Sequence, residues 1–76
     1  MELQDFIEKF AAQFYETDAS EFTAETQFKE LEEWTSLMAL SIIAMIDDEY
    51  SIAVKGKHIR ESETIEDLFN AVKSLK

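Results

Sequence analysis

The 76 residues of this chain have room for one domain around one small core, which excludes a multidomain enzyme. With no cysteine and a single histidine, His58, disulfides, thiolate metal sites and a two-histidine zinc site are excluded as well. Seventeen Asp and Glu against seven Lys and Arg give a formal charge of −10, which argues against nucleic acid as a partner and suits encounters with basic patches on other proteins.

The opening residues, Met1-Glu2-Leu3-Gln4-Asp5, are acidic and lead into no apolar signal core. No apolar run approaches the roughly 18 residues that span a bilayer, so a cytoplasmic chain without a membrane span is expected. Residues 1–76 read as a single domain. Leu3, Phe6, Ile7, Phe10, Ala11 and Phe14 recur at helical spacing with polar residues between them, which predicts an amphipathic helix over 2–15. From Thr17 to Thr35 the pattern breaks into Thr, Ser, Asp and Glu around isolated Phe22, Phe28 and Leu31. That composition predicts a long ordered loop pinned by its apolar residues.

A second helix is predicted from Thr35 or Ser36 to Tyr50. On a 3.6-residue wheel, Ala39, Ile42, Ile43, Ile46 and Tyr50 form the stripe assigned to the core, with Met38 and Met45 as adaptable packing. Leu37, Leu40, Ser41, Ala44, Asp47 and Asp48 lie on the other side. That second stripe reads either as a docking surface or as the far face of a deeply buried helix. Ser51-Ile52-Ala53-Val54 alternates like a strand but has no second strand to pair with, so it is read as extended loop. Residues 56–61 predict a short helical turn presenting Ile59. Thr64 and Asp67 resemble a capping box that opens a last helix burying Ile65, Leu68, Phe69, Val72 and Leu75. The sum is an all-α bundle of three longer helices and one short one. No oligomer interface is evident, and a monomer is expected.

The stretch from Phe28 to Leu37 carries the most chemistry. A serine in the first turn of a helix lies beside backbone N–H groups that lack an intrahelical partner, at the mildly positive end of the helix dipole, and a phosphate ester is well placed there. Position alone favours the plainer reading, in which Thr35 or Ser36 merely caps the helix. Trp34 is read as a staple between loop and helix. Lys55, Lys57, His58 and Arg60 form the basic cluster of the chain and are expected to pair with surplus carboxylates.

Glu33-Trp34-Thr35-Ser36-Leu37, followed by an apolar helix ending Ile46-Asp47-Asp48-Glu49-Tyr50, resembles the modification-site helix of acyl carrier proteins, and the likeness covers nearly the whole chain. The resemblance implies a four-helix bundle with a long first loop and a short third helix. It also implies that Ser36, the match to the serine of that family's Asp-Ser-Leu motif, bears 4′-phosphopantetheine in phosphodiester linkage. The arm would be attached by a holo-carrier-protein synthase, a phosphopantetheinyl transferase using coenzyme A, and its thiol would hold acyl groups as thioesters.

Leu37 matches the motif, whereas Thr35 stands where the family has aspartate. Met38 and Ser41 stand where acidic residues are common. The surface near Ser36 is therefore more apolar than in the fatty-acid type, which points to a specialised pathway. Partner docking is expected at Leu37, Leu40, Ser41, Ala44, Asp47 and Asp48, against acyl-transferring or acyl-activating enzymes with basic patches. A fatty cargo is expected to enter an opening lined by Ile42, Ile46, Ile59 and Ile65. A chain of this kind is not itself an enzyme. The alternative from the residues is an unmodified acidic adaptor that docks through its second helix.

Overall fold

The computed structural model describes residues 1–75. Helix α1 (Leu3–Ala11) forms where the sequence supplies an apolar residue on every turn, and it buries Phe6, Ile7, Phe10 and Ala11 on one face. Regular helix stops four residues before the predicted end. Bonds from Gln13 N–H to the Phe10 carbonyl and from Phe14 N–H to the Ala11 carbonyl continue the turn, so Phe14 still reaches the core.

The connection that follows contains two 3₁₀ turns, Ala19–Glu21 and Phe28–Glu30, which the sequence pattern did not announce. Phe22 and Phe28 are buried and Leu31 is half-buried, so the loop is pinned as expected. It is also tied through its backbone. The carbonyls of Thr26 and Ala24 accept the N–H groups of Ile65 and Glu66, at 3.1 and 3.0 Å, which satisfies orphan donors in the first turn of the last helix.

Helix α2 (Ser36–Tyr50) is capped by Thr35, whose Oγ1 accepts the Met38 N–H at 3.2 Å. It ends at Ser51, which adopts the left-handed conformation with φ 57° while its N–H bonds to the Asp47 carbonyl. Ile42, Met45 and Ile46 are buried, and Met38, Ala39, Ile43 and Tyr50 pack partly against them. The opposite stripe is open to solvent, with Leu37 75 % and Leu40 61 % exposed, which decides against a deeply buried helix.

Residues 51–55 are extended and bury Ile52 and Val54, and no strand forms among the described residues. Helix α3 (Gly56–Glu61) presents Ile59 to the core, and His58 Nδ1 accepts the Lys55 N–H at 3.0 Å to cap it. Helix α4 (Ile65–Ser74) opens with the predicted capping box. Thr64 Oγ1 accepts the Asp67 N–H, and the Asp67 carboxylate accepts those of Thr64 and Glu63, which hold it below the usual carboxylate range. Ile65, Leu68, Phe69 and Val72 are buried. Leu75 is not: it is 43 % exposed, because its N–H bonds three residues back to the Val72 carbonyl and this tighter turn rotates the side chain off the stripe.

Helix α1 packs on α4 and α2, and α3 bridges α2 and α4, within extents of 30 × 24 × 20 Å. Aromatic rings dominate the core: Phe6 meets Phe69 edge-on at 5.6 Å, and Phe10 meets Phe28 edge-on at 5.3 Å. At the α1–α2 contact the Tyr50 hydroxyl donates to Asp5 at 2.8 Å, and Lys9 pairs with Asp5 and, at 3.6 Å, with Glu49. Burial foremost, then the Asp5 bond and the charges of Asp5 and Glu49, hold the Tyr50 phenol above its usual range. Those ion pairs of Lys9 are the ones formed among the described residues, so the expected pairing of Lys55, Lys57, His58 and Arg60 with carboxylates does not occur. Exposed pairs stabilise by only about 0–1 kcal/mol, and long side chains do not sacrifice their freedom for so little. Among the described residues no helix is long and apolar enough to cross a membrane.

Candidate functional site

Two separate ties hold the approach to α2. The first is Glu33, whose carboxylate accepts the N–H groups of Tyr15, Glu16 and Thr17 at 2.8, 3.1 and 2.9 Å, and the Thr17 hydroxyl at 2.9 Å. Burial works against its ionisation, yet these donors prevail and keep the carboxyl below its ordinary range. The second is Trp34, half-buried, which meets Phe28 edge-on at 5.0 Å and stacks beside Phe14 at 6.4 Å. The chain therefore enters Thr35 from a fixed direction. Trp34 is the staple that its position predicts.

Ser36 follows the cap as the first helical residue and is exposed. The Thr35 hydroxyl satisfies Met38, and the Thr35 carbonyl accepts the Ala39 N–H at 3.1 Å. The N–H groups of Ser36 and Leu37 have no partner among the described residues. An exposed hydroxyl thus stands at the positive end of a 15-residue helix with donors beside it.

The chain holds six serines, and the others occupy different settings. Ser62 is buried and its hydroxyl donates to the His58 carbonyl. Ser74 donates to the Ala71 carbonyl in the last turn of α4, and Ser51 terminates α2 at its negative end. Ser41 lies in mid-helix, and Ser20 lies in a three-residue 3₁₀ turn.

Beside Ser36 runs an open groove of about 510 Å³ between α2 and α3. Trp34, Thr35 and Ser36 form one end, Ala39 and Leu40 one wall, and Gly56, Ile59 and Arg60 the other, with Lys29 contributed by the second 3₁₀ turn. The size is in the range of small-molecule clefts. Of the four isoleucines expected to line an opening, only Ile59 borders this groove. Ile42, Ile46 and Ile65 have no exposed surface, and the core is closed over them.

Leu37, Leu40, Ser41, Ala44, Asp47 and Asp48 are all exposed and form a continuous face of α2 leading away from Ser36. The sequence reading missed Glu33, and it missed Lys29, Gly56 and Arg60 as neighbours of Ser36. A glutamate two residues before a helix cap is a weak signal for the first, and the rest depends on how the 3₁₀ turn and α3 meet, for which no local pattern exists.

The family model described as "Phosphopantetheine attachment site" matches residues 5–72, from α1 into the last turns of α4. No curated protein and no solved structure matches this sequence.

Proposed function

This chain belongs to the phosphopantetheine-attachment-site family, whose members carry 4′-phosphopantetheine covalently on a serine, and from that premise we propose that it is an acyl carrier whose arm is joined to Ser36. One observation carries the choice of residue. Among the six serines, Ser36 is the exposed one in the first turn of an α-helix, and it opens onto a groove able to accept a flexible chain. The surroundings fit a phosphodiester: the unpartnered N–H groups of Ser36 and Leu37 and the helix dipole all favour an anion at that oxygen. When attached, the arm supplies a terminal thiol for thioester chemistry, which the chain lacks because it has no cysteine.

The chain's own residues position and present. Thr35 fixes the start of α2, Glu33 and Trp34 fix the approach to it, and Ser36 offers its hydroxyl to a phosphopantetheinyl transferase. The domain is not itself catalytic. Leu37 and Leu40, with Ser41 and Ala44 between polar neighbours, supply an apolar contact for the enzymes it serves, and Asp47 and Asp48 supply charge for basic patches on them. Apolar Met38 and Leu40 near Ser36 and Thr35 before it favour partners of a specialised pathway over a housekeeping one.

The test is an intact mass after incubation with coenzyme A, magnesium and a broad-specificity phosphopantetheinyl transferase. The wild type gains one phosphopantetheinyl group and Ser36→Ala gains none. A wild type that stays unmodified with this enzyme and with its host's transferases, while Ser36→Ala keeps its partner binding, would replace this reading by the unmodified adaptor.

A further inference from the structure

Two of the seven cations in this acidic chain, Lys29 and Arg60, border the groove onto which Ser36 opens. They come from elements far apart in sequence, and neither forms an ion pair with a carboxylate among the described residues, although Asp and Glu outnumber cations seventeen to seven. Their positions are set. Lys29 Nζ donates to the Arg60 carbonyl at 2.8 Å, which docks the second 3₁₀ turn on α3 and holds the ammonium beside the groove. The Arg60 side chain folds back along α3, so that its Nη1 lies 3.3 Å from where a Cβ on Gly56 would stand. The missing side chain at Gly56 makes room for the guanidinium on the groove wall. Both cations therefore border one groove without a carboxylate partner, and an anion in that groove would be attracted to both.

We infer that Lys29 and Arg60 form an anion site on this groove and bind the phosphodiester of the arm on Ser36, laying the arm against Ala39, Leu40 and Ile59. The inference rests on the attachment of the arm to Ser36. Charge complementarity names the phosphodiester as the occupant: it is the one anion that the tether keeps permanently at the groove's end, and a guanidinium fork suits its paired oxygens. The apolar wall then covers the uncharged part of the arm. Lys29 and Arg60 act as positioning residues, and their contribution weakens with salt because the site is open.

The test uses the full chain with the arm attached and its thiol free. Attachment is checked by intact mass, and contacts are read as nuclear Overhauser effects between arm protons and the side chains of Ala39, Leu40 and Ile59. The wild type shows these contacts. Arg60→Gln, which removes the charge at an exposed position and leaves the Lys29 bond to the backbone, loses at least half of their intensity, and Arg60→Lys restores most of it. Equal contacts in wild type and Arg60→Gln, or none in the wild type, overturn the inference while attachment stands. Failure to attach the arm overturns both. Contacts that appear only after the thiol is loaded with a succinyl group would assign the cations to a cargo carboxylate and overturn the phosphodiester assignment.

Discussion

Thr35 carries two requirements at one position: it starts α2, and it precedes the serine proposed to carry the arm. Its hydroxyl bond to Met38 N–H is an N-cap contact, and losing such a contact costs typically about 1 kcal/mol. Thr35→Ala is therefore expected to lower the unfolding free energy, read from urea titration, by that amount while Ser36 remains exposed. Thr35→Asp keeps a capping oxygen and adds a charge favourable to the helix dipole, and it is expected to be at least as stable as the wild type.

At the other end of the same helix Ser51 holds a left-handed backbone, with φ 57°, that an L-residue adopts at a cost of about 1–2 kcal/mol. Ser51→Gly removes the Cβ conflict but gains freedom in the unfolded chain, so a net gain of up to about 1 kcal/mol in chemical denaturation is expected. A loss of stability on Ser51→Gly would mean that the serine side chain makes a contact that matters there.

Among the elements, the long first connection behaves as part of the core. Phe28 is completely buried, touching Phe10 and Trp34, and cutting a buried phenylalanine to alanine costs about 3–5 kcal/mol. A core of this size typically leaves only about 3–5 kcal/mol of net stability, so Phe28→Ala is expected to unfold the protein, as judged by loss of the near-ultraviolet circular dichroism signal. A folded Phe28→Ala would show that the loop is only draped over the bundle.

The helices were legible in sequence because each carries its own signal: the 3.6-residue stripes of α1 and α4, the Thr64–Asp67 box, and the two unlike faces of α2. The loop was legible only as a loop. The Glu33 tie is fixed by backbone donors sixteen to eighteen residues away, which no local pattern records. The 3₁₀ turns are short three-residue bonds, such as Glu21 N–H to the Asp18 carbonyl and Glu30 N–H to the Gln27 carbonyl, in a stretch without a periodic apolar stripe. Leu75 went the other way, a periodic apolar residue that a tightened last turn leaves in solvent.

At the scale of the whole molecule, charge opposes the fold and specific carboxylates support it. A formal −10 on 76 residues is self-repelling, and acid relieves that repulsion. Glu33 works in the other direction. Its folded carboxyl sits below the ordinary range, so the unfolded chain takes up the proton first on acidification. Its contribution is fully present above the usual carboxylate range and is lost as pH falls through the depressed value. The stability difference between wild type and Glu33→Gln is expected to be constant from neutral pH down to about pH 5 and to shrink below that, as followed by urea midpoints. A difference that does not change with acid would remove the ionised carboxylate from the account. The proposed site was legible at Ser36 and Leu37 as a motif in sequence, whereas Lys29, Gly56 and Arg60 reach the groove only once the second 3₁₀ turn and α3 dock.

The central claim is that one serine of six holds the arm. Peptide-level fragmentation of the protein purified from its own host tests it most directly, since it locates the phosphodiester without assuming a transferase. The expected result is phosphopantetheine on Ser36, with Ser20, Ser41, Ser51, Ser62 and Ser74 unmodified. The group on any other serine, or on none in protein taken from cells using the pathway, contradicts the account.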